Sequence, residues 1–230
     1  MARRGNTSRP TGRRATVRVK TARGRTVSSQ RWLQRQLNYP YVAEARKRGY
    51  RSRAAFKLLQ LDDQFHFLKS GARVVDLGAA PGGWTQVAVE RTKPGKGGAV
   101  VIGIDTTPME PIAGALLLTK DFYDEDAPDV LTRSLAGPAD VVLSDMAAPA
   151  TGDPQIDHLR IMALAEAAHE FARQVLRQGG TFVAKVLRGG TERSLLDRLK
   201  HDFAKVRHVK PAASRADSAE MYVVATGFRG

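Results

Sequence analysis

VVDLGAAPGGW, residues 74–84, begins as a strand and ends as a turn. Val74, Val75 and Leu77 are residues of a buried strand, yet Asp76 stands among them. Gly78, Gly82 and Gly83 follow, and glycine lets a backbone turn sharply and come close to a ligand. Nucleotide-like groups are held this way, at the carboxyl ends of parallel strands.

Outward from this turn, strand and helix patterns alternate. On the amino side, WLQRQL and YVAEARKRGY carry apolar positions among many bases, and Ser52 is placed to cap a helix through RAAFKLLQLDDQF. On the carboxyl side, TQVAVERT leads out of the turn as a helix. AVVIGID is a strand ending on Asp105, and a less regular stretch with TKDF at 119–122 precedes the strand ADVVLSD, which ends on Asp145. Residues 155–178 give the clearest helix, with Gly179–Gly180 as its stop. TFVAKVL (strand), TERSLLDRLKHDF (helix), KVRHVK (strand), the polar loop PAASRADSAE and the strand MYVVATGF complete the chain. Such alternation predicts an α/β fold, a mostly parallel sheet with helices on both faces. The last two strands, joined without a helix, are expected to form an antiparallel pair at the sheet edge.

The glycine turn discriminates among cofactors. A phosphate-binding P-loop needs GxxxxGK[ST], but here Gly83 is followed by Trp84; a dinucleotide fingerprint needs GxGxxG, but the order is GxxxGG. S-adenosylmethionine remains. It has no phosphates to cradle, and it needs close backbone approach and an acid for its ribose hydroxyls. Asp105 ends the next strand, about 30 residues after Asp76, where such an acid belongs, and Asp121 lies on a loop at the same edge. Taken singly, Trp84 is more often a core aromatic and Asp105 a turn or cap residue; together with the glycine turn they favour the cofactor.

Charge separates the chain into two parts. The net charge is +14 over 230 residues, but residues 1–53 alone carry +15 and the rest −1. The first 30 residues hold nine Lys/Arg and no acid, and read as a disordered basic arm that meets phosphate backbones. A mitochondrial transit peptide shares this composition but needs an amphipathic helix, which small apolar residues, Pro10 and several glycines do not supply. There is no cysteine, no HExxH spacing and no apolar run near the roughly 20 residues of a membrane span. No metal and no membrane segment are therefore expected, and the absence of cysteine fits a reducing, cytoplasmic compartment.

Charged residues in apolar surroundings mark where chemistry could sit. Lys185 interrupts TFVAKVL, and a buried lysine costs several kcal/mol unless paired. Asp145, at the end of another buried strand, is an obvious partner. Lys57 lies in the apolar AAFKLL, where a snorkelling side chain is the alternative, and Glu220 opens the closing strand.

Together VVDLGAAPGGW, SRAAFKL, LSDMA, FVAKVL and SRADSAEMYVVATG resemble the FtsJ-like ribosomal RNA large-subunit ribose methyltransferases, from about residue 30 to the carboxyl end. The resemblance implies a Rossmann-like S-adenosylmethionine-dependent methyltransferase fold with a seven-stranded sheet. It implies a catalytic tetrad of Lys57, Asp145, Lys185 and Glu220, and cofactor contacts from Gly82, Trp84, Asp105, Asp121 and Asp145. It also implies a 2′-O-methyluridine product in large-subunit RNA, a preference for the assembled large ribosomal subunit, and a monomeric enzyme. Residues 31–230 would form the methyltransferase domain, with basic helices over 31–70 and the catalytic core over 71–230. The chain departs from the family pattern at Ala148–Pro149 and at Asp217, which replaces a base. Ribose methylation of transfer RNA or a messenger cap, a non-catalytic RNA-binding module and a nicotinamide dehydrogenase are the competing readings. Intact Lys57, Asp145, Lys185 and Glu220 argue against the module, and the GxxxGG order argues against the dehydrogenase.

Overall fold

The computed structural model describes residues 39–95, 100–188 and 193–230. The expected basic arm and the WLQRQL helix lie outside these residues. Six helices are described: α1 (Pro40–Lys47), α2 (Ala55–Phe65), α3 (Gly83–Thr92), α4 (Ala127–Leu135), α5 (Pro154–Val175) and α6 (Arg193–Asp202). Seven strands form one sheet: β1 (Val74–Leu77), β2 (Val101–Asp105), β3 (Leu116–Thr119), β4 (Ala139–Ser144), β5 (Leu176–Leu187), β6 (Phe203–Val209) and β7 (Glu220–Phe228).

The strand order is β3-β2-β1-β4-β5-β7-β6, parallel from β3 to β5. β7 runs antiparallel between β5 and the edge strand β6. Alternate side chains explain why both faces are covered. Val74, Val141, Leu143 and Val183 point to a core shared with Tyr41, Phe56, Leu58, Trp84 and Val87 of α1, α2 and α3. Val75, Leu77, Val142 and Phe182 point to a core shared with Leu131, Phe171 and Leu199 of α4, α5 and α6. The amino-terminal helices α1 and α2 thus build one face of the same core as the strands; α2, with Lys57, Asp62 and Asp63, is not itself basic.

Three local readings change. The stretch after Asp105 is not irregular throughout, since it holds β3 and, further on, α4. β3 holds only four residues, LLLT, half-exposed or exposed at a sheet edge, too short a run to mark a strand by its periodicity. Ser52 does not cap α2, whose N-cap is Ala54 with no side-chain hydrogen bond. Its hydroxyl lies instead against the glycine turn, where a Cβ on Gly83 would fall 2.4 Å from Ser52 Oγ. Finally, Gly179–Gly180 do not end the long helix, because β5 begins already at Leu176. The β4–β5 register shifts between Ala139 and Val141, and Gly179 takes φ +79° in the resulting irregularity. At its other end α5 is capped as Pro and Asp dictate: Pro154 opens it, and the Asp153 carboxylate accepts from the Gln155 and Ile156 amides.

Candidate active site

The carboxyl ends of β1, β2 and β4 share one edge of the sheet. Because β7 is antiparallel, its beginning lies at that edge too, with Glu220 opposite Leu187 and Tyr222 opposite Lys185. Topology alone therefore gathers residues from four distant segments.

On the β1–β3 side the edge opens into a cleft of about 470 Å³. Ile104, Phe122, Met146 and Leu164 give it apolar walls, and Asp105 and Asp121 give it acids. Gly78 has φ +74°, and a Cβ there would lie 2.8 Å from the Met146 backbone, so only glycine lets the turn approach β4 this closely. Asp105 accepts the Ala80 amide on one oxygen (3.0 Å) and the Thr107 amide on the other (2.8 Å). An ionised carboxylate offers about four lone-pair sites, so Asp105 keeps acceptor capacity for a vicinal diol. Asp121 accepts the Tyr123 amide at 2.9 Å. Gly82 and Trp84 are not among the residues that line this cleft. Gly82 is the left-handed N-cap of α3, and the buried Trp84 donates its indole N–H to the Ala54 carbonyl at 2.9 Å.

Asp76 accepts the Thr85 hydroxyl at 2.6 Å, which ties β1 to the first turn of α3. Its other oxygen, Oδ1, is buried without a hydrogen-bond partner. Burial, reinforced by the charges of Asp145 and Asp105 and opposed by Thr85, pushes this carboxyl up to about 7.

On the β4–β5–β7 side the four residues of the expected tetrad come together. Lys185 Nζ lies 2.8 Å from Asp145 Oδ1 and donates to the Asp145 carbonyl at 2.8 Å. Lys57 is buried, and its Nζ is 2.7 Å from both oxygens of Glu220. It does not snorkel to solvent. Between the two pairs stands Tyr222, which sequence reasoning missed. Its hydroxyl donates to Asp145 Oδ1 at 2.8 Å and accepts from Lys57 Nζ at 3.1 Å. Ser214 was missed as well, and donates to Glu220 Oε1 at 2.8 Å. Tyr222 was findable, since it lies two residues after Glu220 on a strand and so shares its face.

Electrostatics fix the states of the bridging groups. Burial would raise the Asp145 carboxyl, but the Lys185 and Lys57 charges and hydrogen bonds from Lys185 and Tyr222 outweigh it and hold the carboxyl below its ordinary range. Burial, the negative charges of Asp145 and Glu220 and the hydrogen bond to Asp145 push the Tyr222 phenol well above its ordinary value. It therefore stays protonated and donates. Among the described residues there is no group of three or more His, Asp or Glu placed to hold a metal ion, and no helix long and apolar enough to cross a membrane.

Comparison with known proteins gives the same answer. The FtsJ-like methyltransferase family matches residues 50–228. Over 221 residues the chain is 65% identical to the ribosomal RNA large subunit methyltransferase E of Paramagnetospirillum magneticum, covering 95% of this chain and 90% of that one. The protein of the same name from Xanthobacter autotrophicus is 60% identical, with 96% and 87% covered. A crystal structure from Plasmodium falciparum, described as that of a ribosomal RNA methyltransferase, superposes with a TM-score of 0.68 at 32% identity, covering 79% of this chain and all of that one. The glycine turn, the acid-lined cleft and these matches agree: the chain belongs to the FtsJ-like methyltransferase family.

Proposed function

We propose that this protein moves the methyl group of S-adenosylmethionine to a ribose 2′-hydroxyl, that of a uridine in large-subunit ribosomal RNA, on the assembled subunit. The observation that carries the reading is the buried relay Lys185–Asp145–Tyr222–Lys57–Glu220 at the edge of an acid-lined cleft, in a chain of this family. The names of the relatives support the RNA class and, with it, a cytoplasmic substrate, and the +15 charge of residues 1–53 supports a polyanionic one.

The cleft fits the cofactor. Asp105 would hold its ribose diol with the acceptor capacity left by Ala80 and Thr107, and Asp121 would accept from the adenine amino group. The apolar walls would enclose the base, while Gly82 and Trp84, outside the cleft lining, would act only by shaping the turn, and Asp145 would face the cofactor from the relay beside the cleft. When bound, S-adenosylmethionine supplies a methyl group already activated on a sulfonium. What the chain must add is position and a path for one proton. Glu220 and Lys57 would hold the incoming hydroxyl. Lys185 Nζ would face it and, in the unprotonated amine form that a base requires, take its proton as the 2′-oxygen gains the methyl group. Asp145, kept ionised, accepts hydrogen bonds only and so orients Lys185. The 2.8 Å contact between Lys185 and Asp145 also favours a second reading, in which an ammonium positions the hydroxyl and the proton leaves to solvent.

The test is to incubate the full chain with labelled S-adenosylmethionine and large subunits from cells lacking the gene. Mass spectrometry of the digested RNA then maps the label. The reading expects one ribose-methylated uridine in large-subunit RNA. Label on a base nitrogen or carbon, or only on transfer RNA, would overturn it.

A further inference from the structure

Arg51 lies in the basic amino-terminal segment, where composition makes every arginine a candidate phosphate contact. Its guanidinium is occupied otherwise. Nη1 donates to the Glu110 carbonyl at 2.7 Å and the Pro81 carbonyl at 3.3 Å, and Nη2 donates to the Pro111 carbonyl at 2.8 Å. Three of the five guanidinium N–H donors thus go to backbone oxygens on two different loops. Pro81 belongs to the glycine turn, while Glu110 and Pro111 belong to the loop over residues 106–115 that follows Asp105.

The arginine itself is anchored. Its amide donates to Gln86 Oε1 at 2.8 Å, and Gln86 Nε2 donates to the Gly49 carbonyl at 3.0 Å, so α3 grips this segment from both sides. The 106–115 loop is held far less well. None of its ten residues is buried. At its far end Gly114 lies against Pro94 and Val89 and Ala115 packs on the core, but toward the glycine turn its contact is Ile112, where a Cβ on Gly82 would lie 2.8 Å from Ile112 Cδ1 and 3.1 Å from Arg51 Nη1. Gly82 therefore leaves the space in which Ile112 and Arg51 meet the turn. The same loop carries Thr106, which with Asp105 lines the cleft.

We propose that Arg51 is a positioning residue for the cofactor: its guanidinium straps the 106–115 loop to the glycine turn and so fixes the Asp105–Thr106 wall of the cleft. The inference rests on the reading of that cleft as the S-adenosylmethionine site. It separates two roles that composition merges. A phosphate contact needs a charge, which lysine also supplies, whereas the strap needs a planar fork spanning two loops, which lysine does not.

Two variants, Arg51→Ala and Arg51→Lys, test it in the full-length chain. Amide hydrogen exchange without ligand reads the strap, and calorimetry with S-adenosylmethionine without RNA reads the cleft. Both variants are expected to exchange faster than wild type in residues 106–115. Both should bind the cofactor about 10- to 100-fold more weakly, the order of a lost hydrogen bond to a charged group. KM for the cofactor should rise in step, with kcat at saturation close to wild type. The strap is wrong if exchange over 106–115 is unchanged in Arg51→Ala, or if Arg51→Lys matches wild type in both measurements. If exchange accelerates but cofactor affinity does not move, the loop does not set the cleft and the positioning role falls. Should the wild type not bind S-adenosylmethionine at all, the cofactor reading fails, while the exchange data still decide whether Arg51 holds the loop.

Discussion

On the β1–β3 side of the sheet edge the acids turn toward the backbone. Asp105 and Asp121 accept amides and keep lone pairs in reserve, and the glycine turn is shaped by what a Cβ would strike. On the β4–β5–β7 side the charges turn toward each other, in a continuous chain of side-chain contacts between 2.7 and 3.1 Å. The difference sets how each half fails. An acid held by amides can be removed at the cost of its own bonds. A buried ion pair that loses one member leaves the other charge uncompensated, which costs about 3–5 kcal/mol. The cofactor half should therefore respond to substitution in proportion, and the relay half as a unit.

Lys185→Ala is the largest expected break. It removes the group assigned to the ribose hydroxyl and strips Asp145 of its nearest cation. Turnover should fall by roughly 10²–10⁴-fold, the range for a lost general base. Cofactor affinity should stay near wild type, because the acids of the cleft are untouched. Single-turnover rates beside calorimetry check both. Substantial remaining turnover would remove Lys185 from the chemistry.

Asp76→Asn probes the joint between the halves. Its carboxyl feels both Asp145 and Asp105, and with burial they push it up to about 7. A group raised on folding contributes its stability fully below its unfolded value near 4, and loses it as pH rises through about 7. The stability of wild type relative to the variant should therefore fall with pH across that window, by on the order of 4 kcal/mol. Urea unfolding of both proteins from pH 4 to pH 8 measures it. A difference that stays flat with pH would mean that Asp76 is ionised throughout.

How much of this was legible depends on what each half is made of. The cofactor half is local in sequence, and VVDLGAAPGGW with Asp105 could be read from spacing because a turn and the next strand end are fixed by a few residues. β3 was hard to read, since the short apolar run over 115–118 fits a strand and a helix segment equally and only the folded neighbours define the edge it joins; α4, with Ala127, Leu131 and Leu135 at four-residue spacing, carried a helical pattern that was missed. The relay half spans residues 57 to 222. Lys57 and Lys185 were visible as charges in apolar runs, and Asp145 as the partner of Lys185, but pairing Lys57 with Glu220 needed the antiparallel insertion of β7, which no local pattern encodes. Tyr222 escaped because a tyrosine in MYVVATGF looks like any strand aromatic unless its two-residue spacing from Glu220 is read with it.

Asp105→Ala should show the graded response of the cofactor half. Losing one acceptor for the ribose should weaken S-adenosylmethionine binding by about 1–3 kcal/mol. Turnover should partly recover at high cofactor concentration, since the relay stays intact. A dissociation constant equal to wild type would make Asp105 only the anchor of Ala80 and Thr107.

The smallest and most discriminating change is Tyr222→Phe, because Tyr222 belongs to both halves. Its ring packs against Trp84, with centroids 5.5 Å apart, and phenylalanine keeps that contact. Its hydroxyl is the link between Asp145 and Lys57, and phenylalanine removes it. If the relay acts as a unit, deleting one oxygen should slow methyl transfer by about 5- to 10-fold, equivalent to the roughly 1 kcal/mol of a typical hydrogen bond. Cofactor affinity should not change, because neither Asp105 nor Asp121 touches the hydroxyl. The decisive comparison is with Lys57→Ala. If Tyr222 acts by joining Lys57 to Asp145, the loss from Tyr222→Phe should largely vanish once Lys57 is gone, as expected for coupled neighbours. An equal loss in both backgrounds would mean that the hydroxyl serves Asp145 alone, and the relay would then be two separate pairs.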